Sequence, residues 1–272
     1  MKDLAAFLSG KLPDIDLDRA ALEMAAIEFP SLDPEPSLAT LEAIAAELRE
    51  RLRGAAGGLE RVSIANDFLF EHLGFRGNQA DYYNPHNSCL NQVLERRSGI
   101  PITLSLVYIE VARRVGMPVQ GIGLPGHFIV HYDDGRFAAF IDPFHGGRLL
   151  TSEDCEALVR ERLGADAPVD PSMLAPAGKK QILVRMLYNL RAIYIRNQAF
   201  GQALEVLNLL IVANPMSAQE RKQRGLVHLH LRKLTAGRVD FEEYLRLSPE
   251  ASDREEIRQQ LETIHRWLGT LN

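Results

Sequence analysis

The sequence predicts an α+β fold: one buried helix packed on a small antiparallel sheet, with helices before it and an all-α helical repeat after it. Three observations predict this. Residues 101–115 carry apolar side chains at 102, 104, 106, 107, 109, 111, 112 and 115, too many for a surface stripe, so this helix is buried on most sides. Two strand-like runs, 127–132 and 137–142, flank Asp133-Asp134-Gly135-Arg136, and Asp-Gly between such runs is a strong hairpin signal. Pro215 and Pro249 stand 34 residues apart, and the same shift carries Tyr194 onto His228, Ala203 onto Gly237 and Leu207 onto Phe241.

Taken in order, residues 1–60 read as helices broken at Pro30 and Pro36, with Ser37 able to cap the run LATLEAIAAELRERL. RVSIANDFLFEHL is a further helix running into the turn cluster GFRGN. The aromatic and polar loop Tyr82-Tyr83-Asn84-Pro85-His86-Asn87 follows, and Asn87 or Ser88 caps the helix through LNQVLERR. Pro101 suits the first turn of the buried helix because its missing N–H costs nothing there, and Gly116 and Pro118 end that helix. If Asp134 and Gly135 are the two central turn residues, opposed positions in the hairpin sum to 269 and His127 faces Asp142. Directly opposed side chains lie about 5 Å apart at Cβ, close enough for an imidazole N–H to bond a carboxylate. A histidine oriented by an aspartate is the base half of a nucleophilic triad.

Arginine, glycine, a buried helix, a glycine-ended turn, strand, His127, strand and Asp142-Pro143 is an order that resembles the transglutaminase-like superfamily of Cys-His-Asp enzymes, built on a papain/transglutaminase-like core. Counted without gaps from Gly99, that family's cysteine falls on Pro101, while His127 and Asp142 match its histidine and aspartate. The wider match, GFRGN, YYNPHNSCLNQVLERRSGIPITLS, PGHFIVHY and FIDPFHGG with a helical-repeat tail, is similar to the bacterial SirB family. The resemblance implies a regulatory or partner-binding role on the same fold, with His127 and Asp142 a vestigial dyad.

The domains expected are an N-terminal helical segment at 1–60, the core at 61–163, a Pro- and Ala-rich connector at 164–178, and repeats at 179–272. A 34-residue period with helix-turn-helix patterning and a closing proline is the tetratricopeptide signature, and residues 253–268 form a final helix. Concave repeat surfaces of this kind accept peptides and helices, so a protein or peptide partner is expected there.

The residues weighed as a site are His127 and Asp142, with Tyr83, Asn84, His86, Asn87, Pro101 and Thr103 as walls of the cleft. Cys89 lies at the start of a helix, where backbone amides lower a thiol pKa, and is the alternative nucleophile. No metal is expected: His127 and His131 share a strand face but positions four apart on a strand lie about 13 Å apart, and His131 and His145 read as rim residues. No cofactor is expected either, since Gly121-Ile122-Gly123 leads into a strand and lacks the spacing of a phosphate loop.

A net charge of −5 over 272 residues argues against binding nucleic acid through a broad basic face. Two cysteines make no disulfide framework, and the N-terminal stretch carries neither a signal-peptide pattern nor an apolar run long enough for a bilayer, so a cytoplasmic protein is expected. The reading is a non-catalytic, protein-binding or regulatory chain. Its alternative is a cysteine-type acyl transferase or peptidase using Cys89 with His127 and Asp142.

Overall fold

The computed structural model describes residues 1–269; residues 270–272, included above in the repeats, lie outside the described residues. The α+β class is the one observed. The chain forms two compact units. The first holds Met1 and residues 14–186, and the second holds residues 2–13 and 187–272.

The second unit opens with α1 (Lys2–Leu8); in the first, α2 (Leu17–Ala25), α3 (Glu35–Arg51), α4 (Gly58–Asn66) and α5 (Leu90–Arg96) lead to α6 (Pro101–Arg114). The start of α3 differs from expectation: Pro34 takes the cap position and Pro36 the first turn, so Ser37 is already inside the helix and buried. Fixed proline φ makes that earlier start inexpensive. The helix expected through RVSIANDFLFEHL loosens after Asn66 into a π-helical turn, Asp67–His72. α6 is buried on all sides from Pro101 to Ala112, and it packs against α2, α3, α5 and strands of both sheets. Its N-cap is Ile100 rather than Ser98 or Gly99, because those two residues pair as strand β2 with β1 (Arg76–Gly77). Thr103 closes the cap instead, accepting the Ile100 N–H at 3.1 Å.

The sheet has four strands in the order β3 (Val119–Leu124), β4 (His127–Asp133), β5 (Ala138–Asp142) and β6 (Arg148–Leu150), all antiparallel. One face meets α6. The other carries Ile122, Ile129, Phe140 and Leu150 against Cys155 and Val159 of α7 (Ser152–Leu163), so the sheet is covered on both sides. Gly121 sits where an added Cβ would come within 2.8 Å of the Phe128 ring, which is why no larger residue fits on β3 there.

The register of the hairpin is corrected by two residues. Val130 pairs with Ile141, His131 with Phe140 and Asp133 with Ala138, so the turn spans Asp134 to Phe137. The Asp134 carboxylate accepts the N–H groups of Arg136 at 2.9 Å and Phe137 at 2.8 Å, and this side-chain-held loop replaces the two-residue turn. The shift is even, so no side chain changes face.

α8 (Lys179–Arg196) carries the chain from the first unit into the second, where α9 (Phe200–Ala213), α10 (Ala218–His230), α11 (Leu234–Leu247) and α12 (Arg254–Gly269) follow. Ala203, Leu207 and Phe241 have no exposed surface, and Tyr194 has 1%, as the 34-residue correspondence requires of positions packed between helices. At Gly225 an added Cβ would meet the Phe241 ring at 2.7 Å, so α10 and α11 approach at a glycine. The buried Asp240 of α11 pairs with Arg224 of α10 through two contacts, at 2.7 and 2.8 Å. No described helix is long and apolar enough to cross a membrane.

Candidate functional site

The site grows from the end of β5. Asp142-Pro143 cannot continue a strand, because the proline has no N–H for the ladder. The chain turns into a short 3-10 turn, Pro143–His145, whose cap is the Asp142 side chain. Asp142 Oδ1 accepts the backbone N–H groups of Phe144 at 3.0 Å and His145 at 3.3 Å. That leaves Oδ2, which two imidazoles share: His127 Nε2 at 2.8 Å and His145 Nδ1 at 2.7 Å. Asp142 is 2% exposed, and burial raises its carboxyl pKa; the hydrogen bonds and charge of His127 and then His145 outweigh this and hold it below the ordinary carboxylate value.

His127 is the first residue of β4. Its backbone carbonyl accepts from Arg185 Nη2 at 2.5 Å, and its ring stands edge-on to Phe144, with centroids 6.1 Å apart. Phe144 in turn meets Tyr82 edge-on at 6.2 Å, and Tyr82 meets Tyr83 at 5.4 Å, so an aromatic row joins the Tyr82-Tyr83 loop to the imidazole. Gly77 supports the same turn: an added Cβ there would lie 2.6 Å from the Phe144 carbonyl oxygen. Beyond the turn, Asn66 donates to the Gly147 carbonyl at 2.6 Å and accepts from the buried Tyr108 hydroxyl at 3.0 Å. The GFRGN and DPFHGG segments are therefore two halves of one support.

His127 and Asp142 meet although the register differs from expectation. Asp142 lies one step past the last β4–β5 pair, opposite Arg148 of β6, and reaches the imidazole diagonally from the sheet's end. The remaining residues singled out from the sequence are placed as follows. Tyr83 is 48% exposed. Asn84 caps the 3-10 turn Pro85–Ser88, accepting the His86 N–H at 2.9 Å, and donates to Asp81 at 2.8 Å. The His86 ring packs on Phe29, with centroids 5.3 Å apart. Asn87 and Thr103 have no exposed surface: the Asn87 amide donates to the Asp81 carbonyl at 2.6 Å, and the Thr103 hydroxyl donates to the Asn87 carbonyl at 2.7 Å. Both act as scaffold for the loop and for α6 rather than as cleft wall. Pro101 is the buried first residue of α6.

Cys89 requires a correction. It is the N-cap residue of α5, one position before the first turn, and it has no exposed surface. Its sulfur donates to the Pro85 carbonyl at 3.4 Å. Burial, with a smaller push from the Glu28 charge, drives the thiol pKa up to about 12, opposite to the lowering expected from helix amides. Cys155 is likewise buried and raised to about 11.

His145, expected at the rim, takes a different place. The structure makes it the second partner of the central carboxylate, 46% exposed, three residues after Asp142. The signal lay in Asp-Pro-x-His: an aspartate capping a 3-10 turn brings back the side chain three positions on. The exclusion of a metal rested on His127 and His131, which do share β4; the group that converges is His127, Asp142 and His145, whose ligand atoms all lie within 4.8 Å of one another.

Residues 35–188 match the Transglutaminase-like superfamily, and residues 190–262 match a tetratricopeptide repeat family. A UPF0162 protein of Xylella fastidiosa is 36% identical over 252 residues, which is 91% of this chain and 89% of that protein. A UPF0162 protein of Pseudomonas aeruginosa is 29% identical over 248 residues, 90% of this chain and 89% of the relative. F-box only protein 21 of Mus musculus is 32% identical over 181 residues, 62% of this chain and 28% of that longer protein. The Transglutaminase-like match covers more than half of the chain and the Xylella relative nearly all of it, so this chain belongs to the transglutaminase-like superfamily, together with the UPF0162 proteins.

Proposed function

We propose that this chain is a non-catalytic, SirB-like regulatory protein of the cytoplasm, a transglutaminase-like core that no longer carries out thiol acyl transfer, joined to tetratricopeptide helices that hold a protein or peptide partner. The observation that carries the reading is the state of the thiols. Both cysteines are buried with raised pKa, and the position matched to the superfamily's nucleophile is Pro101, which has no group to attack with. A base without a nucleophile contributes nothing to acyl transfer. His127 and Asp142 are then a residual dyad, with Tyr83 at the rim of the adjoining loop. On the repeat side, α10 to α12 form a groove of about 360 Å³ lined by Leu229, Arg232, Leu234, Ile264 and the half-exposed Trp267, which suits an apolar helix or peptide.

The test has two arms. Alkylation followed by mass spectrometry should label Cys89 and Cys155 slowly at neutral pH, while Pro101→Cys should label quickly and lose that speed in a His127→Ala background. In parallel, Trp267→Ala and Arg232→Glu should reduce capture of the partner by the full chain, with His127→Ala capturing normally. A wild-type amidase or acyl-transfer activity abolished by both Cys89→Ala and His127→Ala would overturn the proposal.

A further inference from the structure

We infer that His127, Asp142 and His145 form a binding site for a divalent transition-metal ion of the Zn²⁺ class, with His127 Nε2, Asp142 Oδ2 and His145 Nδ1 as ligands and the fourth position turned to solvent. This goes beyond the partner-binding reading and does not rest on it. Two ring nitrogens already aim at one carboxylate oxygen, at 2.8 and 2.7 Å, and the three donor atoms lie within 4.8 Å of one another. Tetrahedral Zn²⁺ with bonds of about 2.0–2.1 Å separates its ligands by about 3.3 Å, so each Asp142 contact opens by about half an ångström while the two ring nitrogens, within 4.8 Å of each other, settle to the same spacing. Two imidazoles and one carboxylate with an open position is a donor set that suits Zn²⁺, Co²⁺ or Fe²⁺ rather than Mg²⁺ or Ca²⁺, which take oxygen.

The surroundings hold these ligands as outer partners hold a metal site. Asp142 Oδ1 is fixed by two backbone N–H groups, leaving Oδ2 directed at both rings. Arg185 anchors the His127 backbone, and Phe144 stands edge-on to both imidazoles. His145 is 46% exposed and His127 13%, so an ion and its water can reach the group. Beside it lies a cavity of about 330 Å³ lined by Asp142, Asp154 and Glu161 against one guanidinium, Arg148, itself paired to Asp154 at 3.3 Å. Within that cavity the carboxylates outnumber the guanidinium. On binding, each neutral imidazole moves its proton to its other ring nitrogen, and an imidazolium releases one proton to solvent; the carboxylate is already ionised.

The full chain, treated with chelator and dialysed, is titrated with Zn²⁺ and then Co²⁺ by calorimetry and visible absorption. The expected result is one ion per chain, with cobalt spectra of a four- or five-coordinate nitrogen and oxygen site. His145→Ala, at a half-exposed position, should remain folded by circular dichroism and weaken binding by more than about a hundredfold, since even loss of an outer partner costs 10–100-fold. His131→Ala should bind as wild type. Wild-type binding no tighter than that of His145→Ala, equal loss in His131→Ala, or a thiolate-to-cobalt charge-transfer band would each overturn the site.

Discussion

Asp142 concentrates the chemistry of the core in one side chain. One of its oxygens holds the turn that follows, and the other holds two imidazoles from different segments, so a single carboxylate fixes the backbone and the site together. Removing its charge therefore has two consequences. Asp142→Asn should cost about 2 kcal/mol at neutral pH, the value of hydrogen bonds to a charged acceptor, measured by urea unfolding of chelator-treated protein. The sign with pH follows from the depressed carboxyl pKa. Its stabilisation is complete above the unfolded value of about 3.9 and is lost as pH falls through the lower folded value, so wild type and variant should converge in strong acid. The His127 ring resonances should also move in Asp142→Asn by NMR at a fixed pH, and an unchanged ring spectrum would mean that the carboxylate does not hold that imidazole.

At the scale of elements, the site depends on two short segments that contribute no reactive group. β1 with its Gly77 and the turn Pro143–His145 are pressed together at a distance that excludes a methyl group. Gly77→Ala should cost about 2 kcal/mol through overpacking and should shift the His127 and His145 ring resonances, because Phe144 cannot move without the turn that carries His145. An unchanged His145 environment with the same loss of stability would locate the strain elsewhere. The same scale explains the hairpin. Its turn residues suggested a tight two-residue loop, yet the Asp134 side chain organises a longer one, and the pairing of β5 with β6 draws Asp142 past the end of its β4 ladder.

At the largest scale, the first unit is tied together by a buried charge cluster that the sequence shows only as scattered ordinary residues. Asp18 of α2 and Glu110 of α6, both 2% exposed, converge on Arg114, which bonds Asp18 and meets Glu110 at 2.7 Å and Glu42 of α3 at 3.2 Å. Burial, reinforced by the Asp18 charge, raises the Glu110 carboxyl pKa despite its arginine partners. Arg114→Met would keep the packing of the stem and leave two buried carboxylates short of their cation, at a cost of about 3–5 kcal/mol. The deficit should shrink as pH falls, because burial raises the Glu110 carboxyl pKa and without Arg114 it takes up a proton more readily; a denaturant midpoint unchanged at neutral pH would show that Arg113 suffices. In the second unit the paired helices and the buried Asp240–Arg224 contact follow the repeat visible in the sequence.

By itself the sequence determined what is local or ordered along the chain: the burial of α6 from its apolar density, the 34-residue helical repeat, the sheet faces, and the order of helix, histidine and Asp-Pro that marks the superfamily. These survive because periodicity and chain order do not depend on which neighbour an element meets. Only the folded structure decided the two-residue difference in register, the meeting of His145 with His127 on one carboxylate oxygen, and the raised pKa of Cys89. The first follows from the loop that the Asp134 side chain holds, the second from the Asp142 turn meeting the start of β4 at the sheet's end, and the third from the apolar surroundings that close over α5. Hydrogen-bond competition and desolvation set those outcomes, and both act only once the chain has packed.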